Sequence, residues 1–152
     1  MTTTQIPRTA RVTVVSAEPR PPLRRVAGRS TVAAGAGAAV LLGYGALAVA
    51  AHGPMQVGDP GHTTPINAAS FAIGVLFSSF FGIVLAVVLA RWAKHPARTF
   101  GRVAVALTAI SLWAPYTAQT DDATKLLLAG GHALAAIVIV PLIVRALRTR
   151  LV

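Results

Sequence analysis

His132 is the residue of this 152-residue sequence whose type and position could best support chemistry. It lies inside the uncharged segment Leu126–Val144, about 9 Å from the start of that segment if the segment is helical. An ionisable residue at such a depth is a candidate for function, because a neutral imidazole can bind a ligand or relay a proton. The alternative is a structural role, in which His132 donates a hydrogen bond to a carbonyl or hydroxyl group on a neighbouring helix.

Three other polar residues are expected near the same end of the fold as His132. Asn67 and Ser70 lie one helical turn apart at the start of a second apolar segment, and Gln119 lies at the end of a third. With His132 they form a candidate polar site that faces outward. Hydrogen bonds that hold the helices together would explain the same residues equally well.

The segment from His52 to Pro65 is predicted to be a loop, and His52, Asp59 and His62 within it could bind a metal. Their spacing matches no known metal motif, and loop histidines are usually solvated, so we expect no metal site and no cofactor. The chain has no cysteine, which excludes disulfides, thiolate metal sites and cysteine nucleophiles. It also has no phosphate-binding loop, HExxH motif or Ser-His-Asp spacing, so we expect no catalytic residues and no enzymatic activity.

The elements that must position these residues are predicted to be membrane-spanning helices. Hydrophobic residues make up 55% of the chain and charged residues only 12%, whereas soluble domains have roughly 25% charged residues. Charges and turn residues divide residues 30–148 into four predicted spans, at about 30–51, 66–91, 97–116 and 123–147. The predicted fold is therefore all-α, a four-helix antiparallel transmembrane bundle.

Ile66–Ala90 is expected to be the central helix of this bundle, because it is uncharged and has a small residue at every fourth position. These residues form a helix-packing ridge, which comprises Ser70, Gly74, Ser78, Gly82 and Ala86 and continues to Ala90. Small residues let two helix backbones approach closely, which favours helix association in lipid. Gly35, Ala39 and Gly43 repeat the pattern in the first span and predict a second closely packed face. Thr63 or Thr64 is expected to cap the second span, with Pro65 in its first turn.

The distribution of charge predicts the orientation of the chain. All 14 lysines and arginines except Lys125 lie in residues 1–29, 91–102 or 145–150, which alternate with the predicted outer loops. The positive-inside rule then places both termini in the cytoplasm of a bacterial plasma membrane. Nucleic-acid-binding proteins instead cluster basic residues on a folded polar surface, so we expect the lipid bilayer, and no nucleic acid, as a partner.

Residues 1–29 are predicted to form a disordered basic cytoplasmic tail, because they are rich in arginine and proline and poor in apolar residues. The tail is expected to be solvated, with contact to anionic lipid headgroups as the alternative. A cleaved signal peptide that includes the first span is a further alternative. The apolar segment is longer than the 7–15 residues typical of such peptides, which argues against cleavage.

Short elements of the sequence resemble an uncharacterised family of four-helix membrane proteins common in actinobacteria. They are Arg98-Thr-Phe, Leu112 to Pro115, Ala123-Thr-Lys, His132-Ala-Leu-Ala-Ala and Pro141. The resemblance covers about residues 25–148 and implies an integral membrane protein, but no activity, ligand or catalytic residue.

These observations support two hypotheses for function. The first is a structural or accessory membrane component that binds another membrane protein, or a second copy of itself, through the helix-packing ridge. The second is a protein that binds or transports a small solute at the polar site near His132.

Overall fold

The computed structural model describes residues 22–58 and 61–148 and is organised around long helices. In chain order the elements are α1 (Leu23–His52), β1 (Met55–Val57), β2 (Thr64–Ile66), α2 (Ala68–Trp92), α3 (Pro96–Ser111), α4 (Trp113–Thr117) and α5 (Asp122–Leu147). The predicted all-α class is confirmed, and α1, α2 and α5 are each long and apolar enough to span a membrane.

The first helix begins earlier than predicted. It starts at Leu23, directly after Pro22, so Arg24, Arg25 and Arg29 are helical and are not part of a disordered tail. Proline disfavours a helical conformation for the residue before it, so a helix can begin after Pro22 but not continue back through it. The Leu and Arg residues that follow Pro22 favour helix. The remainder of the predicted tail lies outside the described residues.

The segment predicted as the third span is divided into two helices. Only Leu112 separates α3 from α4, and it keeps right-handed helical dihedral angles (φ −67°, ψ −18°). Pro115 explains the interruption, because it has no N–H to donate to the carbonyl of Ser111. Neither α3 nor α4 alone is long enough to span a membrane.

The central helix is α1, and not the segment Ile66–Ala90 that the sequence indicated. α1 contacts both α2 and α5 along its length, whereas α2 and α5 contact each other at few positions. One face of α1 is buried from Val26 to Ala48. α2, in contrast, buries only five of its residues.

The face of α1 that packs is also different from the predicted one. Ala39 is exposed, and a Cβ added to Gly35 or Gly43 would meet no neighbouring atom within 4 Å. The packed face instead includes Gly37 and Gly45. A Cβ added to Gly45 would lie only 2.9 Å from the Cα of Ala68 and 2.7 Å from the ring of Phe71. The absence of a side chain at Gly45 therefore permits the close approach of α1 to α2.

Two hydrophobic clusters hold opposite ends of the fold. One cluster, which we call the inner cluster, joins the N-terminal halves of α1 and α3 to the C-terminal halves of α2 and α5. It includes Val26, Ala86, Phe100 and Ile143. The outer cluster joins the opposite ends of α1, α2 and α5 to β1, through residues that include Met55. This pairing of ends shows that α1 and α3 run antiparallel to α2 and α5.

A short antiparallel hairpin replaces the loop that was predicted between the first two spans. Met55 pairs with Ile66 and Val57 pairs with Thr64, and Pro65 lies in β2 opposite Gln56. Pro65 therefore does not begin α2, and the prediction that Thr63 or Thr64 caps this helix is wrong. The hairpin places the buried Met55 against the outer cluster.

We predict that Gly45→Leu destabilises the fold by about 1–3 kcal/mol, because the new side chain would overlap Ala68 and Phe71. Gly43→Leu is the matched control, since it adds the same side chain to an open face of the same helix and should change stability by less than about 0.5 kcal/mol. Thermal unfolding of the purified protein in mild detergent measures both effects. Equal unfolding temperatures for the two variants would contradict the assigned α1–α2 contact.

Candidate functional site: an apolar cavity between α2, α3 and α5

A cavity of about 920 Å³ lies between α2, α3 and α5. Leu41 of α1 contributes to its lining, which closes the side nearest the central helix. The walls are mostly aliphatic side chains with four phenylalanines, which are Phe71, Phe77, Phe81 and Phe100. A concave, largely apolar site with a few polar groups is typical of ligand-binding pockets, which commonly measure ~300–1,000 Å³.

The outer part of the helix-packing ridge lines this cavity and does not pack against another helix. Gly74 and Ser78 are exposed, and a Cβ on Gly74 would meet no neighbouring atom within 4 Å. Gly82 also lines the cavity, while Ala86 and Ala90 are buried in the inner cluster. Among the described residues, the ridge therefore packs against other helices mainly at its inner end.

Ser70 and His132, two of the four residues of the predicted polar site, line the same cavity. Ser70 also completes a capping box at the start of α2. The side-chain oxygen of Asn67 accepts a hydrogen bond from the Ser70 N–H (3.1 Å), and Ser70 Oγ accepts one from the Asn67 N–H (3.2 Å). Asn67 is the N-cap of α2 and does not line the cavity, so its local role is to begin the helix.

His132 forms its hydrogen bond within its own helix. The Nδ1 atom lies 2.9 Å from the carbonyl oxygen of Leu128, one turn earlier in α5. The prediction of a structural bond to a neighbouring helix therefore does not describe this contact. Because a carbonyl oxygen can only accept, Nδ1 carries the proton and Nε2 of the neutral imidazole keeps an unshared electron pair.

Gln119 lies outside the cavity, in the exposed linker between α4 and α5. Its carbonyl oxygen accepts a hydrogen bond from the N–H of Gly58, at 3.1 Å, which connects this linker to the hairpin. Thr120 makes a second connection, since its Oγ1 donates to the carbonyl oxygen of Gln56 at 2.7 Å. Gln119 thus belongs to the outer connections between segments and is not brought next to His132.

Thr108 and Ser111 of α3 line the cavity but were not part of the predicted site. The signal was present in the sequence, because Phe100, Ala104, Leu107, Thr108 and Ser111 follow helical spacing and fall on one face. Arg98 and Arg102 interrupt the apolar pattern at the start of α3 and obscure this face.

A polar cluster, which we call the outer tie, joins the end of α1 to the start of α5. His52 Nε2 lies 3.2 Å from Asp121 Oδ2 and 3.3 Å from Thr124 Oγ1. Thr124 is fully buried, and its hydroxyl donates to Asp121 Oδ1 at 2.7 Å while its N–H donates to Oδ2 at 2.8 Å. The Thr124 hydroxyl first, then its N–H, and more weakly His52, lower the pKa of Asp121 to about 2. Asp121 is the N-cap of α5.

Aromatic side chains of α1 and α2 pack against α5 beside the outer tie. Tyr44 Oη donates a hydrogen bond to the carbonyl oxygen of Leu127, at 2.8 Å, and the Tyr44 ring meets that of Phe71 edge to face. A Cβ on Gly130 would lie 2.6 Å from Tyr44 Oη, and one on Gly131 would lie 3.1 Å from Phe71. The absence of side chains at Gly130 and Gly131 therefore permits this close packing.

The histidines and carboxylates do not assemble into a metal site within residues 22–58 and 61–148, where no three of them come together. His52, one of the three loop residues that could bind a metal, contacts Asp121. Asp59 lies outside the described residues, and His62 is exposed.

Comparison with known proteins identifies the family of the chain but no activity. Residues 21–149 match the model of a family of unknown function, DUF6069. The chain belongs to this family. The DUF6069 region includes every described helix, so the cavity and the outer tie both lie within it. No curated protein and no solved structure gives a match to the chain.

We predict that Asp121 makes the stability of the fold sensitive to strong acid. The pKa of Asp121 in the folded protein, about 2, lies below its ordinary value of 3.8. The ionised carboxylate therefore contributes to the free energy of unfolding above pH 3.8, and this contribution is lost as the pH falls toward 2. Thr124→Val removes the hydroxyl but keeps the side-chain shape, and should move this loss to higher pH. Thermal unfolding in detergent between about pH 2 and pH 5 measures the effect.

Asp122→Asn is the control for this measurement, because it removes a charge from the same turn of α5 without removing the cap. Asp122→Asn should show the same acid-induced loss of stability as the unsubstituted protein, whereas Asp121→Asn should show a smaller loss. If Asp121→Asn unfolds with the same pH dependence as the unsubstituted protein, the outer tie does not stabilise the fold.

Proposed function

We propose that this DUF6069 protein is a four-span protein of the bacterial plasma membrane that binds a slender, largely apolar molecule in the cavity between α2, α3 and α5. Both ends of the described chain lie on the cytoplasmic side in this proposal. The observation that carries it is the cavity itself, which follows α5 over about four turns and is lined mainly by apolar side chains with few polar groups. Binding requires no catalytic group, and we propose no enzymatic activity.

The apolar surface of the helices supports insertion in a bilayer. Large apolar side chains are exposed on the described helices, among them Leu47 (72%), Phe77 (69%) and Ile137 (70%). Soluble monomers rarely expose such extended apolar surface, whereas lipid contact makes it favourable.

The combined length of α3 and α4 supports a fourth span. They cover Pro96–Thr117 with a single interruption, which at ~1.5 Å per residue is roughly 30 Å, the thickness of the hydrocarbon core. Thr108 and Thr117 donate their hydroxyl groups to carbonyls one turn earlier, and Ser111 donates to that of Thr108, which reduces the cost of placing these residues in lipid.

The charges of the described residues support the proposed orientation. The basic residues at the inner end of the helices are Arg24, Arg25, Arg29, Arg91, Lys94, Arg98, Arg102, Arg145 and Arg148, and no acidic residue is described there. At the outer end, Lys125 lies 3.6 Å from Asp122, and Asp121 takes part in the outer tie. This asymmetry follows the positive-inside rule.

The length and the lining of the cavity favour an extended apolar occupant. It follows α5 from Leu128 to Ile143, roughly 22 Å at 1.5 Å per residue. Aliphatic and phenylalanine side chains of three helices line it, which suits a hydrocarbon chain.

A second candidate function is that of a structural or accessory component, in which a helix of another membrane protein or of a second copy docks on this face. The observation in its favour is that Gly74, Ser78 and Gly82 line the cavity, and that within the described chain a Cβ added to Gly74 would meet no atom within 4 Å and one added to Gly82 only Ile143 Cδ1, at 4.0 Å. Such a surface allows a close backbone approach.

We predict that the double variant Gly74→Leu/Gly82→Leu fills the cavity and therefore lowers the amount of co-purified apolar molecule about tenfold. This loss corresponds to about 1.4 kcal/mol of binding free energy. The variant should fold, because the nearest atom to either added Cβ is Ile143 Cδ1, 4.0 Å from that of Gly82. The measurement is gentle solubilisation from native membranes, followed by mass spectrometry of everything that co-purifies at fixed stoichiometry.

Gly35→Leu/Gly43→Leu is the matched control, with the same substitutions at the same spacing on the open face of α1. It should retain the bound molecule. Loss of a protein partner or of a homo-oligomer only in the Gly74/Gly82 variant would favour the accessory function. If both double variants retain the same small molecules as the unsubstituted protein, the cavity is not their binding site.

A further inference from the structure

The polar side chains that line the cavity use their hydrogen-bond donors within their own helices. The hydroxyl bonds are Ser78 Oγ to the Gly74 carbonyl (2.7 Å), Thr108 Oγ1 to the Ala104 carbonyl (2.8 Å) and Ser111 Oγ to the Thr108 carbonyl (2.8 Å). Ser70 Oγ donates to Asn67 Oδ1 at 3.3 Å, within the capping box of α2. Each of these oxygens keeps acceptor capacity, because a hydroxyl group has two lone pairs and only one proton.

His132 follows the same rule. Its Nδ1–H donates to the Leu128 carbonyl, so Nε2 of the neutral ring can only accept. Ser79 also lines the cavity and has no hydrogen-bond partner within the described chain, but its Oγ is covered by surrounding protein atoms. The polar groups that a molecule in the cavity can reach are therefore acceptors.

The lining offers no positive charge that would compensate an anionic molecule. No lysine or arginine is among the described residues that form it, and the basic residues gather at the inner ends of the helices. An anion in this cavity would lose its hydration without gaining donors, which is costly in apolar surroundings. A hydroxyl group, in contrast, is uncharged and could donate to the acceptors of the wall, and an alkylamine, which is an ammonium ion at neutral pH, brings three donors that those acceptors can compensate.

We propose that the cavity selects an apolar chain whose head group carries a hydrogen-bond donor, a hydroxyl or an amine, over chains with anionic or acceptor-only head groups. This selectivity rests on the proposed function, because it defines the ligand class of the same cavity. The donor replaces hydrogen bonds that the head group made with water, whereas an acceptor-only head group leaves the acceptors of the wall without partners.

The positions of the polar residues also orient the bound molecule. Ser70, Ser111 and His132 lie toward the outer end of the cavity, whereas Leu85, Phe100 and Ile143 close its inner end. The head group is therefore placed near His132, and the tail extends toward Phe100.

The test uses the full-length protein in nanodiscs and four probes that share one alkyl chain with a photoreactive diazirine at its tail. Their head groups are a primary alcohol, a primary amine, a methyl ether and a sulfonate. Each probe is added at the same mole fraction, and saturable labelling is mapped by mass spectrometry. We expect the alcohol and the amine to label the peptides around Leu85 and Ile143 about tenfold more than the ether and the sulfonate.

His132→Phe keeps a ring of similar size but removes the acceptor, so it should reduce labelling by the alcohol several-fold and leave labelling by the ether unchanged. Ile137→Phe is the control, because it adds a ring to an exposed position of the same helix that does not line the cavity. It should label like the unsubstituted protein.

The outcomes separate this inference from the function on which it rests. Equal labelling by all four probes, or strongest labelling by the sulfonate, would overturn the selectivity and leave the cavity as a binding site. A preference for donors that His132→Phe leaves intact would remove His132 from the proposed recognition. Absence of saturable labelling in the cavity by any probe would overturn the proposed function itself.

Discussion

The close approach of α1 to α2 and α5 is the contact on which the rest of the fold depends. Apolar burial gives little advantage to helices that lie in lipid, so their association depends on van der Waals contact over small residues. Gly45 lets α1 meet Ala68 and Phe71, and Gly37 lies against Ile139 of α5. Because α1 occupies the space between its two partners, α2 and α5 diverge on the far side, and α3 covers that side incompletely. The cavity is thus a consequence of how the central helix packs.

The outer end of the fold is held in a different way, by polar contacts between segments distant in sequence. The outer tie connects His52 to Asp121 and Thr124, and the hairpin hydrogen-bonds to the linker at Gln119 and Thr120. These contacts lie at helix ends, where water and polar lipid groups can compete, so each contributes modestly. Together they fix the ends of α1 and α5, and with them the outer opening of the cavity where His132 lies.

The positions of the long helices could be predicted from the sequence, because charges and turn residues mark where apolar segments end. The packing faces could not. α1 contains two sets of small residues offset by two positions, and alanine and glycine are so frequent that periodicity cannot choose between Gly35–Gly43 and Gly37–Gly45. The buried set was decided by Phe71 and Ile139 on other helices, which no local pattern reveals.

The candidate site was predicted in part for the same reason. Ser70 and His132 share the cavity because α2 and α5 run in the same direction, so their N-terminal parts lie at the same end of the fold, as the predicted order of antiparallel spans implied. Asn67 was predicted to belong to the polar site because it lies one turn from Ser70 at the start of the second apolar segment. The same spacing from Ser70 is that of a capping box. Gln119 was misplaced because α4 ends at Thr117, which leaves Gln119 in the exposed linker before α5.

The most direct test of the account is whether α3 and α4 together cross the membrane, because only then does the cavity have its third wall within the bilayer. The chain has no cysteine, so single cysteines at Lys94 and Gln119 can be labelled with a membrane-impermeant maleimide. The account predicts that Gln119→Cys reacts in intact cells and that Lys94→Cys reacts only after permeabilisation. Reaction of both from the same side would contradict it, since α3 and α4 would then not span.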